Sequence, residues 1–201
     1  MTGFTPSQAA ALTGLPLSAV RKALDHATIP SRLMRAGRTM QRMVPREALL
    51  CLRLEQLGVG RLPLAQRKRI YRSVLAHPAA EEWRQSEAVV IRAETARASL
   101  NAEIEKLRLA EERVVRNPEI LSGTPVLIGT RIPVHLIAEM RRQGAPVAEI
   151  LESFPAITEA DIELAVFYAQ AHPRRGARPG TRLPHSAKLV REQRIAVADV
   201  R

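Results

Sequence analysis

Apolar residues recur at helical spacing along most of the chain, and short strand-like runs punctuate them. Thr5-Pro6-Ser7-Gln8 predicts a helix start, with Thr5 as cap, Pro6 at the first helical position and Gln8 completing a capping box. That helix ends near Gly14. A second begins at about Leu17, with Val20 and Leu24 facing inward and Ser18, Arg21, Lys22 and Asp25 facing out. Helix, short glycine-containing turn, helix is the helix-turn-helix pattern. Thr39 to Val44 predicts a strand or wing, and Pro45 opens a helix through Leu57. Another helix ends at His77-Pro78, which puts a domain boundary between Ala76 and Glu81. Ser86 to Arg92 contains the strand-like run Ala88-Val89-Val90-Ile91.

From about Ala93 to Arg113 the stripe Ala93, Ala96, Leu100, Ile104 and Leu107 is flanked by Glu103, Glu105, Lys106, Arg108, Glu111 and Glu112. A helix of this length spans about 30 Å. It bridges two halves, pairs with its copy in a dimer or packs within its own subunit; the spacing leaves all three open. Val114-Val115 and Val126-Leu127-Ile128 then predict two strands, separated by turns at Asn117-Pro118, Ser122-Gly123 and Gly129. Three helices follow. Pro133 takes a first helical position before Val134, Ile137 and Ala138, with Gly144 as cap. Pro146 opens the next, with Val147, Ile150, Leu151 and Phe154. Thr158 starts the third, and Asp161 forms an imperfect capping box. That third helix is apolar on nearly every side (Ile162, Leu164, Ala165, Val166, Phe167, Tyr168, Ala169), which suggests a subunit interface. Glu149, Glu152, Glu159, Asp161 and Glu163 give the last two helices an acidic surface. Although they have helix-turn-helix order, they read as dimerisation and scaffold rather than groove reader.

Asn117-Pro118-Glu119-Ile120, Gly123-Thr124-Pro125-Val126, Gly129-Thr130-Arg131-Ile132-Pro133-Val134 and Phe154-Pro155 resemble the domain of unknown function 433 family, over roughly Val114 to Pro173. The resemblance implies a VapB-type antitoxin, which neutralises a toxin ribonuclease, often of PIN-like fold, encoded beside it. Over roughly Phe4 to Leu57, the order helix, helix, wing, helix is similar to the DNA-binding half of MerR-like regulators. Two departures stand out: no aromatic residue lies between Phe4 and Tyr71, and Pro16 stands where a capping Ser or Thr would be expected.

Charge divides the chain further. Residues 1–75 hold 13 Lys/Arg against 3 Asp/Glu, residues 76–173 are net acidic, and residues 174–201 hold 8 against 2. Two basic ends around an acidic middle imply two anionic partners, or one gripped twice. In the first, Ser18, Arg21 and Lys22 are candidates for base reading, and Arg32, Arg35, Arg38 and Arg42 for contacts to operator double-stranded DNA. Arg67-Lys68-Arg69 either extends these contacts or is a solvated helix face. In the tail, Arg174, Arg175, Arg178, Arg182, Lys188, Leu189, Arg191, Arg194 and Ile195 are candidates for binding the toxin, because arginine forks suit the clustered carboxylates of a PIN-like ribonuclease.

Aromatic residues make up only 3% of the chain, so the cores must be built from Leu, Ile, Val and Ala. Cys51 reads as a small buried hydrophobe and excludes an internal disulfide. No apolar run approaches membrane-spanning length and Met1-Thr2-Gly3-Phe4 begins no secretory signal, so a cytoplasmic protein is expected. The five histidines are scattered and read as turn or surface residues. No phosphate-cradling glycine loop, metal-ligand spacing or catalytic set is recognisable, and no cofactor is expected. The expected fold is mainly α with short β-strands. It comprises a winged helix-turn-helix-like domain (1–78), a strand and connecting helix (79–113), a β-hairpin plus three-helix, homeodomain-like module (114–173) and a flexible basic tail (174–201). The leading functional expectation is a homodimeric antitoxin that represses its own operon. A stand-alone MerR-like transcriptional regulator is the alternative, and an RNA-binding or nuclease-like protein is a third.

Overall fold

The computed structural model describes residues 3–36, 39–87 and 90–174. Its first helix, α1 (Pro6–Thr13), begins on the expected capping box: Gln8 N donates to Thr5 Oγ1 at 3.2 Å, and Thr5 N donates to Gln8 Oε1 at 2.8 Å. Gly14 ends it at φ +72°, a left-handed position that a side chain would strain. Thr5→Ala is expected to lower stability by about 1 kcal/mol, measured as an earlier urea midpoint at unchanged slope.

After a three-residue turn comes α2 (Leu17–Asp25), then an antiparallel hairpin of β1 (Arg32–Ala36) and β2 (Thr39–Met43), then α3 (Arg46–Gln56). The sequence predicts β2 but not β1. Arg32-Leu33-Met34-Arg35-Ala36 has no β-branched residue, and its long side chains suit a helix as well as a strand. Beyond a short 3₁₀ turn, α4 (Leu64–Ala76) packs on α3. Next, β3 (Glu82–Arg84) pairs antiparallel with β4 (Val90–Arg92). The expected strand is therefore present at its C-terminal end, with a partner that no sequence signal announced; residues 88 and 89 lie outside the described residues. Arg97 holds this corner by donating to Pro78 O at 2.6 Å and to Ala80 O, with its guanidinium 5.4 Å from the Trp83 ring centroid.

The long helix, α5 (Glu94–Glu112), packs within its own chain against α1 and α3 from the N-terminal segment and α8 from the C-terminal module, so it bridges the two halves while packing within its own subunit. Ala93, Ala96, Leu100 and Leu107 are buried as their stripe requires. It leads into β5 (Val114–Val115), which pairs antiparallel with β6 (Val126–Leu127). The chain continues into α6 (Val134–Arg142), α7 (Val147–Ser153) and α8 (Glu159–Ala171). Pro133 and Pro146 stand one residue ahead of their helices, at the cap, rather than at the first helical position. Pro16, Pro45 and Pro63 do the same for α2, α3 and α4. A ring that fixes φ near −65° directs the chain into a helix but offers no cap acceptor.

Most of the apolar circumference of α8 is covered within the chain by α1, α5 and α6, which bury Ile162, Ala165, Phe167, Tyr168 and Ala171, while Leu164, Val166 and Ala169 are half-buried. That covering leaves only Leu164, Val166 and Ala169 of the expected apolar surface in contact with solvent. One continuous core runs from Phe4 to Ala171. It takes in five of the six aromatic residues (Phe4, Tyr71, Trp83, Phe167 and Tyr168), so the few aromatic side chains available are spent inside.

Asp161 departs from its expected place on an acidic surface. It is only 4% exposed. Its Oδ2 accepts from Thr158 N at 2.9 Å and from Thr158 Oγ1 at 3.0 Å, while Asp161 N donates back to Thr158 Oγ1 at 3.2 Å. Arg113, at the end of α5, also closes on the carboxylate through Nε and through Nη2 at 3.1 Å. The imperfect box is thus a complete one, locked to a helix 48 residues earlier.

Candidate nucleic-acid interface and the cleft between α6 and α8

Val20, Ala23 and Leu24 are buried, so helical periodicity alone turns Ser18, Arg21 and Lys22 outward, and all three are exposed. Pro16 supplies no side-chain cap, which leaves the first amides of α2 without a side-chain acceptor. Those amides and the positive end of the helix dipole favour an anion at this end. The hairpin is tied to the other end of α2, where Arg42 Nη1 meets Asp25 Oδ1 at 2.6 Å. Arg32 and Arg35 are exposed on β1. Leu33 and Met40 are 66% and 62% exposed on the hairpin face that also carries Arg35 and Arg42. Arg38 lies outside the described residues.

Several cations of the same segment do structural work instead. Arg53 donates to Thr13 O at 3.1 Å and to Ser99 Oγ at 3.2 Å, joining α3 to the end of α1 and to α5. Arg67 and the Tyr71 hydroxyl both close on Glu55, so Arg67 belongs to the α3–α4 contact, whereas Lys68 and Arg69 are exposed. Cys51 is fully buried and its thiol is pushed up to about 12, chiefly by burial, as an unreactive core residue requires.

A cleft of about 680 Å³ opens between α6 and α8. From α6 it takes His135, Ala138, Glu139 and Arg142, at spacings of three, four and seven residues; Val166, Ala169, Gln170 and Pro173 follow the same spacing from α8 onward. Arg141 and Arg174 complete its rim. Beside it, His172 Nε2 stands 3.0 Å from Glu111 Oε1, and Gln8 Nε2 donates to that same oxygen at 3.0 Å. The His172 ring lies 4.4 Å from that of Tyr168, whose hydroxyl accepts from Arg116 at 3.2 Å. Burial holds His172 below its ordinary pKa, against the pull of Glu111. His135 is lowered too, by burial first and then by Arg174, Arg116 and His172. Sequence reasoning placed both histidines as turn or surface residues. The partner of His172, Glu111, comes from α5 and is itself held by Gln8 of α1, which no local pattern connects to it.

Of the tail candidates, Arg174 is at the cleft rim. Arg175, Arg178, Arg182, Lys188, Leu189, Arg191, Arg194 and Ile195 lie outside the described residues. Among the described residues no group of three His, Cys, Asp or Glu side chains is arranged to hold a metal, and no helix is long and apolar enough to cross a membrane.

Fold and site together define a mainly helical protein with short antiparallel strand pairs, a basic N-terminal face and a separate C-terminal cleft. Residues 114–169 match the family described as "Protein of unknown function (DUF433)". The chain is also 40% identical over 95 residues to the "Uncharacterized protein y4eO" of Sinorhizobium fredii (strain NBRC 101917 / NGR234), a stretch covering 46% of this chain and 42% of that protein. The chain thus spans less than half the length of that relative. No solved structure matches it.

Proposed function

We propose that this protein is a DNA-binding regulator of the toxin–antitoxin kind. Its segment through α3 grips operator DNA in a homodimer, as a winged helix-turn-helix does, and its basic tail occupies an acidic partner, a PIN-like ribonuclease. The observation that carries the DNA reading is the exposure of Ser18, Arg21 and Lys22 on one face of α2, beside a hairpin bearing Arg32 and Arg35. A single helix fits the B-DNA major groove, where Arg and Lys reach guanine O6 and N7. The 13 cations against 3 anions in residues 1–75 supply the sequence-independent attraction. Support for the partner reading comes from the motifs between Asn117 and Pro155 and from the tail's 8 cations against 2 anions.

The two roles are expected to separate. Co-expressed with its genomic neighbour, the full-length chain should retain a small acidic protein, and deletion of residues 174–201 should release it while operator binding persists. Retention of no partner by either form would reduce the proposal to a stand-alone regulator. Loss of both activities in a folded deletion variant would contradict the division of labour.

A further inference from the structure

We propose that the cleft between α6 and α8 binds a small organic anion, a carboxylate with an apolar body. Its volume of about 680 Å³ lies within the range of ligand sites. Small side chains help make the room: Ala138 from α6 and Ala169 from α8 line the cleft with Val166. The rim is cationic. Arg141, Arg142 and Arg174 face a single carboxylate, Glu139, to which Arg142 Nε already donates at 2.7 Å. Arg141 Nη1 donates to Ala145 O at 2.5 Å, which fixes that guanidinium at the cleft's edge.

The excess of guanidinium calls for an anion, and a planar fork suits a carboxylate. The Ala138, Val166 and Ala169 surface calls for an apolar body, which inorganic phosphate lacks. His135 lines the cleft and is held low by burial first and then by Arg174 and Arg116, so a bound anion, which changes both its burial and its charged surroundings, should shift its titration and report occupancy.

The test uses the full-length chain, with benzoate as the anion, benzamide as its uncharged counterpart and inorganic phosphate as a charge without an apolar body. Titration calorimetry is combined with NMR of the histidine side chains. Benzoate is expected to bind and to shift the His135 titration, with benzamide weaker by about tenfold or more for the lost charged contact and phosphate weaker by a similar factor for the lost apolar body. Ala169→Leu should narrow the cleft and weaken benzoate binding, and Arg174→Gln should weaken it by about tenfold. Should Ala169→Leu fail to fold, the exposed Arg174→Gln decides. Absence of benzoate binding at millimolar concentration, phosphate binding as tightly as benzoate, or full affinity in Arg174→Gln would each overturn the proposal.

Discussion

Asp161→Ala should lower the unfolding free energy by about 3 kcal/mol, the largest loss expected from one polar substitution in this chain. The residue caps α8 through Thr158 and meets Arg113 with both carboxylate oxygens, so alanine removes a helix cap and a charge-assisted pair together. Arg113 is 37% exposed on its side chain, and solvent moderates its part of the loss. The Arg113 guanidinium, opposed by burial and helped by Thr158, holds the Asp161 carboxyl at about 2, below its ordinary 3.8. A folded-state pKa below the unfolded one means that the ionised carboxylate favours folding. This contribution is complete above about pH 4, falls away as the pH drops toward 2, and amounts to about 2 kcal/mol. Denaturant titrations between pH 2 and 5 should therefore show wild type losing stability that Asp161→Ala never had. Parallel pH profiles would refute the assignment.

Arg21→Ala combined with Lys22→Ala should weaken operator binding by about 2–4 kcal/mol, on the order of 30- to 1,000-fold. Both side chains are exposed, so the melting curve should not move appreciably. Arg42→Ala should cost less affinity, because Asp25 already neutralises that guanidinium at 2.6 Å. Electrophoretic mobility shifts with operator and scrambled duplexes separate base reading from phosphate attraction. An equal effect on both duplexes would assign Arg21 and Lys22 to the backbone alone.

Local patterns made much of the fold legible. The Thr5 and Gln8 box, the alternation that buries Val20 and Leu24 while exposing Arg21 and Lys22, and the prolines ahead of five helices are readable because each acts within one turn. What escaped depends on distant partners. β1 and β3 are short strands without β-branched residues, and they exist because β2 and β4 pair with them. Asp161 looked like surface charge because its partner, Arg113, lies on α5. Gln8 and Glu111 meet across 103 residues, and the His172 environment follows from that packing. Periodicity shows which face of α8 is apolar, but not that α1 and α5 cover it. The cleft was invisible for the same reason: its alanines and arginines are ordinary on each helix and become a site only when α6 and α8 lie side by side.

Operator affinity of the full-length chain, measured by fluorescence anisotropy from 50 to 200 mM salt, tests the central claim most directly. A dimer making about 6–10 phosphate contacts should lose roughly 10³- to 10⁵-fold over that range, and Arg21→Ala with Lys22→Ala should lower affinity at every salt concentration. Weak, salt-insensitive binding that the double substitution leaves unchanged would contradict the assignment of α2 and the hairpin to DNA.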